Sequence, residues 1–266
     1  MTDRFDRAGA AFANLCRIMA KLRAPGGCPW DREQTLESLK PYLIEEAYEV
    51  LEAIDHGPTE HREELGDLLL QVVFQAELTQ EEGAFDIAEV ADGIVDKLVR
   101  RHPHVFGDKK AADADGALAN WEAIKAGEKP RDKSVLAGVP TSLPALLKAL
   151  RTGEKAAAVG FDWPNADGAM EKVEEEWREF REAIKSGSRV ATNDEAGDLF
   201  FALVNVCRHL GLDPENALRQ AIAKFSGRFQ YIEARVKEKK YNLGDLSLDE
   251  LNELWVEAKQ RLVEGN

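Results

Sequence analysis

The sequence predicts an all-α protein made of two homologous helical units. Three observations support this fold class. Apolar residues recur at intervals of three and four, which places them on one face of a helix. Runs in which β-branched and polar residues alternate, typical of strands, are almost absent. The helical pattern of the first half returns in the second half at a nearly constant offset, which indicates a duplication.

Four apolar stripes predict the helices of the first half. Their ranges are 8–22, 36–54, 65–76 and 87–98. Helix breakers at 25–27 and 57–58 end the first two stripes. The third stripe is apolar on nearly all sides, which indicates a helix buried on several faces. Asp86, with Glu89 three residues later, predicts a capping box at the start of the fourth helix.

Residues 127–144 interrupt the helical pattern. Glycine, proline and charged residues are concentrated in this stretch, and the apolar periodicity is lost, as is typical of a connection between domains. The sequence therefore predicts an N-terminal unit at 1–126, a linker at 127–144 and a C-terminal unit at 145–266.

The duplication extends to individual side chains, at a shift of about 130 residues. The acidic residues that correspond are Glu45, Glu46, Glu49, Glu64 and Asp67 in the first unit and Glu175, Glu176, Glu179, Glu195 and Asp198 in the second. Three further residues, Lys97, Arg101 and Trp121, correspond to Lys224, Arg228 and Trp255. Asp213 corresponds to Asp86 and precedes Pro214, a residue favoured in the first helical turn.

Each unit offers four carboxylates beside an apolar helix face. Glu46 and Glu49 are three residues apart on one predicted helix, and Glu64 and Asp67 are three apart on the next, so each pair lies on one side of its helix. Antiparallel packing of the two helices would bring the four carboxylates together in a partly dry crevice. In the second unit the same quartet is Glu176, Glu179, Glu195 and Asp198.

Four carboxylates in a partly dry crevice must bind protons or recruit cations, because their repulsion is costly at low dielectric. Mg²⁺ suits such a cluster, since it takes oxygen ligands, keeps water and uses substrate phosphates to complete its coordination. Mn²⁺ is the expected substitute. No histidine follows the glutamates at i+3, unlike in di-iron helical bundles. The alternative is a solvated acidic helix face; the paired, repeated arrangement favours a metal site.

The composition limits the classes of function. Asp and Glu number 49 against 35 Lys and Arg, a formal net charge of −14, so general electrostatics disfavours nucleic acids and anionic membranes as partners. Three cysteines without a CxxC pair indicate neither a disulfide framework nor a thiolate zinc site. The first residues contain no apolar run like that of a secretory leader, so we expect none; the sequence also shows no apolar stretch of membrane-spanning length and no P-loop. We expect a cytoplasmic protein.

The motif Glu-Glu-x-x-Glu, followed after about 15 residues by Glu-x-x-Asp, resembles the signature of the MazG family of nucleoside triphosphate pyrophosphohydrolases. Other segments that resemble tandem-domain MazG proteins are 29–31, 65–69, 97–106, 160–163 and 204–211. The resemblance covers essentially the whole chain. It implies an all-α homodimer of intertwined helical units and Mg²⁺-dependent hydrolysis of a nucleoside triphosphate to the monophosphate and pyrophosphate.

The resemblance also implies roles for individual residues. It implies that the carboxylates of both quartets are metal ligands. The nucleotide contacts that it implies are Lys172, Val173, Glu174, Glu175 and Glu176, a turn of Ala191, Thr192, Asn193 and Asp194, and Gln220, Lys224 and Trp255. Gln220 departs from the family pattern, in which this position can be basic.

The chemistry of α–β cleavage suits these residues. Water must attack the α phosphorus while pyrophosphate leaves with growing negative charge. Glu175, and Glu45 in the first unit, are candidates to accept the proton of the water. Lys224 and Arg228, one helical turn apart, suit a polyphosphate, although cations on a helix flank are commonly just solvated. Trp255 is either a core residue or a platform for the base.

The second unit is the predicted main catalytic site. There Lys172, Asn205, Lys224 and Trp255 accompany the quartet, whereas Phe74 occupies the position of Asn205 in the first unit. The apolar run 68–74 of the first unit suits a dimer interface. Three alternatives remain open: a broad nucleoside triphosphate pyrophosphohydrolase, a narrow enzyme for dUTP, dCTP or phosphoribosyl-ATP, and a helical dimer scaffold without catalysis.

Overall fold

The computed structural model of the protein describes residues 4–128 and 134–264. Within these residues the regular structure is entirely helical and no strand occurs, so the predicted all-α fold class is confirmed. The chain divides into two compact units, Met1–Pro130 and Arg131–Asn266. Part of the predicted linker, 129–133, lies outside the described residues, and 134–144 form turns.

The first unit contains seven helices within the described part of the chain. They are α1 (Arg4–Arg23), α2 (Pro29–Glu33), α3 (Lys40–His56), α4 (Pro58–Glu81), α5 (Ile87–Arg101), α6 (Pro103–Phe106) and α7 (Ala114–Gly127). Helices α3 and α4 form a hairpin that turns at Gly57, and α1 packs against α4. The core of this unit consists of Met19, Leu39, Val73, Phe74 and Leu78.

The second unit repeats this plan. Its helices are α8 (Ala145–Ala157), α9 (Ala166–Ser186), α10 (Arg189–His209), α11 (Pro214–Glu238), a 3₁₀ turn (Leu243–Asp245) and α12 (Leu248–Glu264). Helices α9 and α10 form the corresponding hairpin, and α8 packs against α10. A separate core of Ile232, Val236 and Leu254 joins α11 to α12.

The hairpin turns explain why the sequence offset changes from 130 to 131. Gly57 ends α3 with φ +115°, and Gly187 ends α9 with φ +71°, a conformation that side chains disfavour. Pro58 then begins α4 directly, whereas Ser188 is inserted before α10. The Ser188 hydroxyl accepts a hydrogen bond from the Ala191 amide at 3.3 Å, so the extra residue serves as the N-cap.

The predicted helix starts are confirmed in two places and wrong in one. Asp86 and Glu89 form the predicted capping box, and Asp213 caps α11 ahead of Pro214. The helix predicted over 36–54 begins only at Lys40. Before it, the Thr35 and Ser38 hydroxyls each accept a bond from the other residue's amide, which gives the backbone an alternative to the helix.

The prediction that the third stripe is buried on several faces is wrong within one chain. Val73, Phe74, Ala76 and Leu78 are buried. A second row of α4 remains exposed and consists of Leu65, Leu69 and Val72. The unit supplies partners for only one side of the helix, because α3 and α1 are the helices that pack most closely on it.

None of the described helices combines the length and the apolar character that crossing a membrane requires.

Candidate active site

The hairpin of the second unit brings its acidic residues together as the sequence predicts. Carboxylate oxygens of Glu176, Glu195 and Asp198 lie within 4.8 Å of one another. A second close group joins Glu176 to Glu175 and Glu179. Glu176 belongs to both groups, and it is only 5% exposed. The whole predicted quartet therefore forms one cluster centred on Glu176.

The hairpin of the first unit forms the corresponding cluster. Glu46 on α3 lies within 4.8 Å of Glu64 and Asp67 on α4, and Glu49 lies beside Glu46. No ion pair among the described residues reaches these four carboxylates. Glu45, the candidate base of this unit, is exposed on α3 and lies outside the close group.

Burial, and after it the repulsion between neighbouring carboxylates, raises the pKa of three residues in the clusters. Burial, followed by the charges of Asp67 and Glu49, raises the pKa of Glu46. Burial and the nearby Glu49 raise the pKa of Glu64. Burial and the nearby Glu179 raise the pKa of Glu195 in the second cluster. Each carboxylate is thus held where its charged form is disfavoured, which a bound cation would reverse.

The donor set of each cluster fits a hard divalent cation. Every side chain in the close groups is a carboxylate, and neither group contains histidine or cysteine. Oxygen-only ligands select Mg²⁺, Mn²⁺ or Ca²⁺ over Zn²⁺. Three carboxylates on two facing helices also leave room for water and phosphate oxygens. The predicted metal ligands are therefore compatible with such an ion.

Lys172 gives the second cluster a feature that the first lacks. Its Nζ atom lies 2.6 Å from Glu176 Oε1 and 2.8 Å from Glu175 Oε1. The hydrogen bond from Lys172 lowers the pKa of Glu175. The position that corresponds to Lys172 in the first unit is Tyr42, whose ring contacts Trp30 at a centroid distance of 6.0 Å.

The remaining predicted contacts on α9 and α10 flank the second cluster. Val173 is half-buried and Glu174 exposed on α9. The family resemblance predicted a turn at residues 191–194, and this is wrong. These residues lie in the first turns of α10, because the helix begins at Arg189 after its Ser188 cap. An open and mainly apolar cleft of about 500 Å³ lies there. Phe180, Ile184 and Ala196 line it together with Arg189, Thr192 and Asn193, and its lining includes none of the clustered carboxylates.

Arg189 is a candidate that the sequence reasoning missed. It lines the cleft beside Thr192 and Asn193, and its guanidinium suits a phosphate oxygen. A signal was present in the sequence, because Arg189 directly follows a Gly-Ser pair, and glycine and serine are common at the ends of helices. The first unit has Pro58 at this position, so no positional match drew attention to it.

Helices α11 and α12 hold the other predicted contacts. Trp255 packs its ring 5.1 Å from that of Phe225, and the Arg228 guanidinium lies 5.5 Å from the Trp255 ring. Lys224 and Gln220 are exposed on α11. Among the described residues, no hydrogen bond, ion pair or ring contact joins Lys224, Arg228 or Trp255 to the carboxylate cluster. Trp255 is thus both a partner of a core and a stacking surface.

The first unit repeats the arginine–tryptophan pair but neutralises it. Arg101 lies over the Trp121 ring at 5.3 Å. Glu128 then binds Arg101 at 2.5 Å and Arg100 at 2.7 Å, and the two arginines lower the pKa of Glu128 to about 2. Arg228 has no acidic partner among the described residues. The Lys125 ammonium also lies over the Trp121 ring, at 4.5 Å, so the two units differ in the arginine that is available to an anion and not in the presence of a cation.

Asn205 does not accompany the quartet. It is buried two turns beyond Asp198 on α10, or about 10 Å along the helix. Its side chain donates to the Phe201 carbonyl and accepts from Arg208. Arg208 in turn binds Asp162. Asn205 therefore belongs to a structural network between α10 and the loop before α9, and the prediction that it surrounds the carboxylates is wrong.

Known proteins are similar to this chain over nearly its whole length, including both duplicated sites. A nucleoside triphosphate pyrophosphohydrolase/pyrophosphatase of Thermotoga maritima is 48% identical over 95% of this chain and 97% of its own length. The nucleoside triphosphate pyrophosphohydrolase of Escherichia coli K12 is 43% identical over 94% of this chain and 97% of its own length. The chain belongs to the MazG family. The predicted enzyme class, nucleoside triphosphate pyrophosphohydrolase, is confirmed with it.

Two family models divide the MazG chain as its duplication does. The MazG nucleotide pyrophosphohydrolase domain matches residues 34–106, which include the first cluster. Phosphoribosyl-ATP pyrophosphohydrolase matches residues 156–224, which include the second cluster. An uncharacterised Bacillus subtilis protein is 49% identical over 94% of this chain, but the match covers only 52% of that protein. Both units therefore derive from pyrophosphohydrolase-type helical domains.

Proposed function

We propose that the protein is a Mg²⁺-dependent, cytosolic enzyme that hydrolyses a broad range of nucleoside triphosphates to monophosphates and pyrophosphate, with Mn²⁺ as a substitute ion. The observation that carries the proposal is the cluster around Glu176, in which carboxylates of α9 and α10 converge and every candidate metal ligand is an oxygen. Such a cluster suits a divalent ion that carries a polyphosphate. The three cysteines are all free, as is typical of a reducing compartment.

The second cluster supports a division of tasks among its residues. Glu176, Glu179, Glu195 and Asp198 would hold the metal, which polarises phosphate oxygens and lowers the pKa of bound water. Glu175 lies beside Glu176 in the second close group, so its carboxylate is placed to accept a proton from water once Lys172, whose hydrogen bond lowers the pKa of Glu175 and weakens it as a base, has moved away. Arg189, at the cleft, suits the leaving pyrophosphate.

Two observations support the second unit as the main site. The cleft at the start of α10 adjoins the second hairpin. Arg228 lies over the Trp255 ring and has no acidic partner in the described part of the chain, whereas Glu128 neutralises its counterpart Arg101 in the first unit. An anion would have to displace Glu128 to reach Arg101. The first unit keeps a complete carboxylate cluster, which supports metal binding there as well.

The function is tested by incubating the protein with Mg²⁺ and each of the eight ordinary ribo- and deoxyribonucleoside triphosphates. We expect monophosphate and pyrophosphate from several of them, identified by chromatography. Phosphoribosyl-ATP belongs in the panel, because the second unit matches that family model. Hydrolysis of this compound alone would replace the broad assignment with a narrow one. Diphosphate and phosphate as products would contradict α–β cleavage, and no turnover of any substrate would favour the scaffold.

We also propose that the protein is a homodimer. Each unit leaves an apolar row in solvent on a long helix: Val90, Ile94 and Leu98 on α5, and Leu218, Ile222, Phe225 and Phe229 on α11. The exposed row of α4 adds to the first of these. Contiguous apolar surface of this kind marks an interface. A second copy is the simplest partner, since most soluble oligomers are symmetric homo-oligomers.

The substitution Ile222→Glu should separate the dimer into monomers. Ile222 lies in the middle of the α11 row and is exposed, so Ile222→Glu would bury an unpaired charge at the interface. Sedimentation velocity should show a dimer for the unmodified protein and mainly monomer for this variant. Gln230→Glu, about a third of a turn from the row on the same helix, is the control and should remain dimeric. A monomeric unmodified protein would refute the proposal.

A further inference from the structure

The two carboxylate clusters correspond to each other residue by residue but differ in one neighbouring side chain, Lys172 in the second unit and Tyr42 in the first. Both lie on a helical hairpin, at corresponding positions, and both consist of carboxylates alone. One turn before the buried glutamate, the second unit has Lys172 and the first has Tyr42. The same chain therefore contains a cluster with a built-in cation and one without it.

Lys172 contacts the carboxylate on which the second cluster depends. Its ammonium lies 2.6 Å from an oxygen of Glu176, which is buried and shared by both close groups. A lysine four residues before a glutamate lies on the same face of the helix, so the pair needs no tertiary contact to form. The Lys172 side chain is about one-third exposed, which leaves it a path out of the cluster.

A divalent ion and the ammonium compete for the same carboxylate, that of Glu176. Two cations that share one carboxylate repel each other strongly at reduced dielectric, even when each contacts a different oxygen. In the first cluster no such competitor exists, because the Tyr42 ring packs on Trp30 and no described cation pairs with Glu46, Glu64 or Asp67. The competition is thus confined to the second unit.

We infer that Lys172 is an internal counter-ion that a divalent metal must displace from Glu176, so that the nucleotide-free protein binds metal more weakly at its second cluster than at its first. This inference rests on the proposed function, since it assumes that both clusters bind metal. The displaced ammonium then lies one helical turn from the ion, free to pair with an anion. Lys172 acts in metal entry as a positioning residue.

Titration of the nucleotide-free, full-length protein with Mn²⁺ tests this inference. Electron paramagnetic resonance counts free and bound Mn²⁺ without any turnover. We expect two classes of site, and Lys172→Met should tighten the weaker class at least about tenfold, the size of effect that one adjacent charge has on a carboxylate. Lys172→Arg keeps the charge and should leave this class weak. Glu176→Gln should abolish the weaker class and Glu46→Gln the tighter one.

The reciprocal change gives an independent measurement. Tyr42→Lys places an ammonium four residues before Glu46 and should weaken the tighter class. Unequal classes that Lys172→Met leaves unchanged, or equal classes in the unmodified protein, would overturn the inference while leaving the proposed function intact. A protein that binds no Mn²⁺ at either cluster would overturn the proposed metal-dependent function, and the inference with it. Circular dichroism of each variant checks that the helices are retained.

Discussion

Replacing Glu176 with glutamine is expected to lower the rate of nucleoside triphosphate hydrolysis about a thousandfold. Glu176 is the buried carboxylate common to both close groups of the second cluster, so its loss removes a central metal ligand. A metal that polarises phosphate oxygens supplies several kcal/mol of transition-state stabilisation, and about 4 kcal/mol corresponds to three powers of ten in rate. Single-turnover measurements with saturating Mg²⁺ would report the chemical step directly.

The matched control is Glu46→Gln, which removes the corresponding carboxylate of the first cluster. This variant should keep most of the activity if the second unit is the main site. The reverse result would transfer the main site to the first unit. Comparable losses in both variants would show that hydrolysis needs both clusters. Glutamine keeps the side-chain size but removes the ion pair of Glu176 with Lys172, so circular dichroism should first show that both variants retain their helices.

The substitution Gly27→Ala is expected to lower the free energy of unfolding of the first unit by about 3 kcal/mol. A Cβ atom added to Gly27 would lie 2.6 Å from the Lys21 carbonyl oxygen and closer still to that of Leu22. These are backbone atoms at the end of α1, so no rotamer change relieves the clash. In the same turn the Cys28 amide donates a hydrogen bond to the Leu22 carbonyl at 2.8 Å. Its distortion would disturb the packing of α1 on α4.

Hydrogen exchange with mass spectrometry localises this effect within the full chain. A loss of about 3 kcal/mol corresponds to roughly hundredfold faster exchange of the core amides of α1 and α4. Peptides of α9 and α10 should exchange as before, because they belong to the other unit. Gly9→Ala is the control, since nothing lies near a Cβ at that position of α1, and it should stabilise the helix slightly. Equal exchange in both variants would contradict the clash.

Helical periodicity predicted the hairpins because it reports the face that each residue occupies. Glu46 and Glu64 could be placed together from spacing alone, since a helix fixes the direction of every side chain. The insertion of Ser188 did not disturb this, because the register of α10 is set by its packing on α9 and not by the length of the turn. The acidic clusters were therefore predictable.

Three features were not predictable by the same reasoning. The late start of α3 depends on hydroxyl–amide bonds between Thr35 and Ser38, which compete locally with the helix. Asn205 is on the same helix as Glu195 and Asp198, but it lies two turns beyond Asp198, where other residues surround it. The pairing of Glu128 with Arg101 joins residues 27 apart, and no periodic pattern reports such a contact.

Lys172 lies between these cases. Its spacing of three and four residues from Glu175 and Glu176 follows the ordinary rule for ion pairs on one helix. The family resemblance, however, implies that Lys172 contacts the nucleotide. The same spacing also allowed an ion pair with Glu175 and Glu176, which is what the structure shows.

The apolar rows on α4, α5 and α11 bear on how the chain reaches its folded state. Side chains such as Leu69, Ile94 and Ile222 stabilise the protein only when another surface covers them, since exposed apolar area contributes nothing to burial. In a homodimer, folding and assembly become one equilibrium, and the resistance of the chain to heat rises with its concentration. A newly synthesised copy without a partner is then the species most exposed to aggregation and proteolysis.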